Sequence, residues 1–154
     1  MSAHALPEFE DEVTCVLVPL AKEPLLIPNV CVAEVLPWRR TKPLSGVAPW
    51  CVGVLGWRGQ SVVVMDFERY MGIEVDAAAR RAMVVMKKSH HLDGDAFYAL
   101  ATAGLPRLVH IREQELSQRD EALLPGVSML TTLGTEDAVI PNLQDLEEQI
   151  RQIL

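Results

Sequence analysis

Residues 50–72 read WCVGVLGWRGQSVVVMDFERYMG. Two apolar runs, Trp50 to Trp57 and Val62 to Met65, flank a polar break at Arg58-Gly59-Gln60-Ser61. Both runs have strand length and β-branched content, and the residues between them are turn formers, so the stretch predicts a β-hairpin with a charged Arg58 at its tip. Asp66 then predicts the cap of a helical turn over Phe67 to Met71, which Gly72 stops.

Working outward toward the N-terminus, Val13 to Leu20 and Leu25 to Ile27 predict a second hairpin around the turn Lys22-Glu23-Pro24. Residues 29–36 carry both a helical and a strand reading: Asn29 can cap a turn, but three valines suit a strand, and Pro37 ends either. Residues 37–49 are loop-like, with three prolines and the only basic cluster, Arg39, Arg40 and Lys42. Toward the C-terminus, strands are predicted at 82–86, 96–103, 105–111, 127–133 and 138–140. Residues 112–122 read as a loop or an exposed helical turn. Asn142 caps the clearest helix, in which Leu143, Leu146, Ile150 and Ile153 form one apolar stripe. Many short strands and few helices make an all-β fold, a barrel or a sandwich, and two small barrels or one larger one both suit the pattern.

The totals exclude several functions. The net charge of −7 over 154 residues opposes nonspecific nucleic-acid binding and an anionic membrane surface. No apolar run reaches the length of a membrane span, and the acidic residues 1–12 read as a flexible lead without a secretory signal. Three widely spaced cysteines, Cys15, Cys31 and Cys51, fit buried reduced thiols of a cytoplasmic protein.

Chemistry-bearing constellations are sparse. His90, His91, Asp93 and Asp95 are competent metal ligands, the basis of an alternative reading as a small metal-binding or hydrolytic protein. Their setting is instead that of a solvated turn around Gly94. No phosphate loop is present, and no cysteine stands in a thiolate-stabilising setting. His110, between Val109 and Ile111, reads as a strand residue with a satisfied ring. A ligand-binding β-barrel is a further alternative. The three tryptophans cluster between residues 38 and 57, although only 5% of the chain is aromatic. Packing is the expectation for at least one of them. Trp and Arg are also enriched in binding hot spots, which makes Trp57-Arg58 a candidate recognition surface.

The run GVLGWRGQSVVVMDF resembles the CheW-like domain pattern G-V-(I/L)-x-L-R-G-x-(I/V)-(I/V)-P-(I/V)-x-D-L, matched at Gly53, Val54, Leu55, Arg58, Gly59, Val62, Val63 and Asp66. IPNVCVAEVLP resembles the family's V-x-E-(I/V) segment at Val32, Glu34 and Val35. Further segments resemble the family in order up to IPNLQDLEEQI at the C-terminus. Trp57 replaces a Leu of the pattern, Met65 follows three valines where the family has Pro one position earlier, and Leu105-Pro106-Arg107 replaces a Val-Asp pair. The resemblance implies two small five-stranded SH3-like barrels with short helices, including a C-terminal one, in a single domain over 13–154. It implies a non-enzymatic adaptor, without cofactor or metal, that couples chemoreceptor cytoplasmic tips to a CheA-type histidine kinase. Such an adaptor is cytoplasmic and meets the membrane only through receptors. The departures suit a relative from a type IV pilus, twitching-motility pathway. The protein-binding residues implied are Val32, Glu34, Val35, Gly53, Trp57, Arg58 and Gly59.

Overall fold

The computed structural model describes residues 12–88 and 97–153. The first half contains β1 (Glu12–Val18), β2 (Leu25–Pro28), β3 (Val32–Pro37), β4 (Cys51–Trp57), β5 (Gln60–Met65) and the one-turn helix α1 (Phe67–Tyr70). The second contains β6 (Ala82–Lys87), β7 (Phe97–Thr102), β8 (Arg107–Arg112), β9 (Leu116–Gln118), β10 (Val127–Leu133), β11 (Glu136–Pro141) and α2 (Leu143–Arg151).

The deciding stretch folds as its pattern predicts. β4 and β5 pair antiparallel with Trp57 opposite Gln60, so the turn is two residues, Arg58 and Gly59, and β5 starts two residues earlier than the apolar run suggests. Both turn residues have positive φ, 48° and 77°, the backbone that matches the twist of a two-residue hairpin. The Asp66 side chain accepts a hydrogen bond from the Arg69 N–H at 3.3 Å and so starts α1.

The strands form two sheets. The five-stranded sheet has the order β3-β6-β7-β5-β4, drawn from the middle of the chain. The six-stranded sheet, β8-β1-β2-β11-β10-β9, joins the two ends of the chain. The predicted 13–27 hairpin is present, with Val16 opposite Ile27. Two contacts bring distant segments together in parallel: β5 beside β7, and β2 beside β11, where Leu25 faces Val139. The ambiguous 29–36 segment divides into a 3-10 turn, Asn29–Cys31, and a strand, β3. One strand departs from the sequence reading. β9, within 112–122, is three residues long with two exposed side chains, so it shows no apolar alternation, and it makes the second sheet six-stranded rather than five-stranded.

Each sheet curls around its own apolar cluster, because its two edge strands contribute to one interior. In the five-stranded barrel, Leu36 of β3 and Trp57 of β4 meet Val62, Val64, Met83 and Val85. In the six-stranded barrel, Ile111 of β8 and Leu116 of β9 meet Cys15, Leu26 and Ala138. The opposite faces of both sheets share a third cluster. Val16, Val18 and Ile27 pack there against Met65, Met86, Tyr98 and Leu100, and α2 inserts Leu146 and Ile150. Alternation along β1 shows the division: Cys15 and Leu17 point into their own barrel, Val16 and Val18 toward the neighbouring one.

Candidate protein-binding site

β3 and β4 are the edge strands of the five-stranded sheet, and a three-residue cluster joins them. Trp57 Nε1 donates to Glu34 Oε1 at 2.9 Å, and Arg58 Nη2 donates to the same oxygen at 3.2 Å. The guanidinium lies 4.6 Å from the centre of the Trp57 ring. The indole is buried, at 4% exposure, and meets the Phe97 ring edge-on at 4.9 Å. Arg58 is 65% exposed and Glu34 37%, so the pair presents charge to solvent from a buried aromatic base.

The strength is modest and the geometry specific. An ion pair this exposed contributes at most about 1 kcal/mol, and a guanidinium over an exposed-side ring adds a similar amount, about 0.5–1 kcal/mol. The indole N–H is the term that fixes position, because it is desolvated and satisfied by one carboxylate oxygen. Arg58 holds a left-handed backbone conformation, which disfavours a side chain with a Cβ. The strain sits at the residue that carries the exposed cation.

The predicted site residues separate into surface and scaffold. Val35 is 41% exposed on β3, and Val30, within the preceding 3-10 turn, is 78% exposed. Val32 is half-buried against the shared core. Gly59 is exposed in the turn. Trp57 corrects the sequence reading: its indole faces inward, and it braces Arg58 and Glu34 instead of offering its own surface. Gly53 is a second correction. It is buried at φ +140°, and a Cβ there would meet the Lys42 carbonyl oxygen at 2.5 Å. The basic 37–49 loop folds over β4 at that point, Lys42 and Val54 exchanging two backbone hydrogen bonds of 2.8 Å. Gly53 thus allows the loop to cover the sheet edge.

The other tryptophans are also packing residues. Trp50 meets Tyr70 edge-on at 5.8 Å, and Trp38 lies under the Arg80 guanidinium at 5.6 Å. Arg80 in turn bonds Asp66 at 3.0 Å. His110 is a strand residue whose Nδ1 lies 3.1 Å from the Thr14 hydroxyl, as expected. Cys15 is buried, whereas Cys31 and Cys51 are only half-buried, and burial pushes all three thiols up in pKa. His90, His91, Asp93 and Asp95 lie outside the described residues.

A profile of the CheW-like domain matches residues 14–151. The chain belongs to the CheW-like domain family. Its members are chemotaxis signal-transduction adaptors that act through protein–protein contact. The CheW-like fold is also seen in the crystal structure of the scaffolding protein TtCheW from Thermoanaerobacter tengcongensis, with a TM-score of 0.70 at 15% identity over 84% of this chain and 88% of that one. No curated protein matches the chain. Among the described residues, no helix of this CheW-like protein is long and apolar enough to cross a membrane.

Three structural positions of the CheW-like chain had no sequence signal. Buried Glu68 accepts from the backbone N–H groups of Ala21 and Lys22 at 3.0 and 2.8 Å, which pins α1 to the β1–β2 turn of the other barrel. Tyr70 donates to Asp145 at 2.9 Å, tying α1 to α2. Arg119 bonds Glu23 at 2.7 Å and Asp137 at 3.2 Å. Each partner lies far away in sequence, and nothing in the local pattern announces it.

Proposed function

We propose that this protein couples the cytoplasmic tips of chemoreceptors to a CheA-type histidine kinase, as a non-enzymatic adaptor in the cytoplasm. The observation that carries the reading is the Arg58–Glu34 pair, exposed on a buried Trp57 at the joined edges of the five-stranded barrel. A fixed cation and carboxylate side by side on a buried aromatic base suit a partner that offers polar contacts of both signs. The shared cluster between the sheets supports residues 13–154 acting as one domain. The departures at Trp57, Met65 and Leu105-Pro106-Arg107 favour a type IV pilus pathway over a flagellar one.

The test is co-elution of the purified chain with the regulatory domain of a CheA-type kinase and with a receptor-tip fragment. Arg58→Glu and Glu34→Lys should each weaken at least one complex by about tenfold, the cost of an unpaired interfacial charge, while circular dichroism stays unchanged. Binding to neither partner by the unaltered chain would remove the adaptor reading. Comparing kinases of pilus and flagellar systems in the same assay assigns the pathway.

A further inference from the structure

The six-stranded barrel is hollow. A cavity of about 340 Å³ opens at one end of it, lined by Val13, Cys15, Leu26, Ile111 and Ile140. All but Val13 belong to that barrel's own interior cluster or pack on it, so the space is the unfilled part of a core. Its volume falls at the small end of the range of ligand sites, about 300–1,000 Å³. The wall is neutral and apolar: burial raises the pKa of the Cys15 thiol and keeps it protonated. One charged side chain lines the space, Glu113, in the 3-10 turn that joins β8 to β9. Glu113 makes no ion pair among the described residues.

Charge is distributed unevenly between the halves of the chain. Residues 29–104, which hold the five-stranded sheet, carry nine Lys and Arg against seven Asp and Glu. Residues 12–28 and 105–153, which hold the six-stranded sheet, carry five against eleven. An apolar cavity with an uncompensated carboxylate in its lining, on the acidic half of the molecule, selects against anions and favours cations.

We propose that the cavity of the six-stranded barrel binds a small apolar molecule carrying a protonated amine, the apolar body between Leu26, Ile111 and Ile140 and the ammonium against Glu113. The site lies in the barrel opposite the Arg58–Glu34 pair and does not depend on the adaptor reading. Burial of the apolar body supplies the affinity and the carboxylate supplies the choice of charge.

The experiment titrates the full chain with three probes of one shape: 2-phenylethylamine, 2-phenylethanol and 3-phenylpropionate. Methyl NMR follows Leu26, Ile111 and Ile140, with Val62 and Met83 of the other barrel as internal controls. The amine should give saturable shifts confined to the first group and bind tightest, and the carboxylate weakest. Glu113→Gln should remove the amine's advantage over the alcohol, roughly fivefold for a partly exposed charge pair. Cys15→Leu, which narrows the space by two more side-chain heavy atoms, should weaken binding of all three while the control methyls keep their positions. Absence of saturable shifts, undiminished binding to Cys15→Leu, or a carboxylate that binds as tightly as the amine would each overturn the proposal. Val62→Ala in the filled barrel serves as a second variant: it should leave all three affinities unchanged.

Discussion

Trp57 and Cys15 each point from a strand into their own barrel, one with an indole and the other with a single sulfur. The five-stranded barrel is filled by large side chains, Trp57, Met83, Leu36 and Leu55, and its edges are joined by the indole's bond to Glu34. The six-stranded barrel has one more strand, no aromatic residue in its interior cluster, and an open cavity. A longer sheet has a wider circumference, so side chains of similar size no longer fill it. The difference shows two ways in which a small barrel can host a site. A filled barrel gives a rigid rim on which exposed charges are held, and an unfilled one gives a concave interior.

The largest test of that contrast removes the filling. Trp57→Ala should cost about 3–5 kcal/mol of stability in urea unfolding, as large-to-small changes in close-packed interiors do. Ile111→Ala, beside a space that already exists, should cost about 2 kcal/mol, the low end for its type, because fewer packed neighbours lose contact. Equal costs would break the distinction between filled and hollow barrels.

Glu68→Gln probes the connection between the barrels. The carboxylate receives two backbone N–H groups while buried, and a neutral amide receives them less well. A loss of about 2 kcal/mol is expected, in line with hydrogen bonds to charged groups. A loss under about 0.5 kcal/mol, within the range of ordinary surface changes, would mean the two barrels hold together without it.

Arg58→Asn should act on stability and binding in opposite directions. Asn accepts the left-handed conformation at φ 48° better than Arg does, and Asn-Gly is the preferred pair for this turn. A gain of about 0.5 kcal/mol is expected, partly offset by the lost ion pair. Kinase or receptor binding should fall at the same time. Lower stability together with unchanged binding would make Arg58 a scaffold residue like its neighbour Trp57.

The smallest effect concerns alkaline pH. Burial, helped by the hydrogen bond to Asp145, pushes the Tyr70 hydroxyl up from 10.0 to about 12. The folded state therefore holds this proton more tightly than the unfolded one. The contribution is fully present below pH 10 and is lost as pH rises toward about 12. Tyr70→Phe should flatten the pH dependence of the unfolding midpoint in that window and lower the midpoint at pH 7, where the contribution is fully present. An unaltered alkaline slope would place the titration elsewhere.

Much of this molecule is legible along the chain. The 50–72 hairpin, the cap at Asp66, the 13–27 hairpin and the capped terminal helix rest on neighbours within a few residues, so their signals are local. β9 was not legible, since three residues, two of them with exposed side chains, carry no periodicity. Of the candidate site, Arg58 stands out at the hairpin tip and Glu34 through motif resemblance. The inward turn of Trp57 was not legible, because an aromatic beside a turn residue has the same sequence context on either face.

By itself, then, the sequence determined what depends on near neighbours and on pattern: the strands and their turns, the all-β class, the family, and a cation at the hairpin tip. Only the tertiary structure decided the parallel pairing of β5 with β7 and of β2 with β11, the joining of Glu34 to Trp57 across two sheet edges, and the burial of Gly53 beneath the 37–49 loop. It also decided that the six-stranded barrel carries an open cavity of about 340 Å³. These are contacts between residues from 11 to 114 positions apart, and their energies depend on which surfaces meet, a quantity that no window along the chain contains.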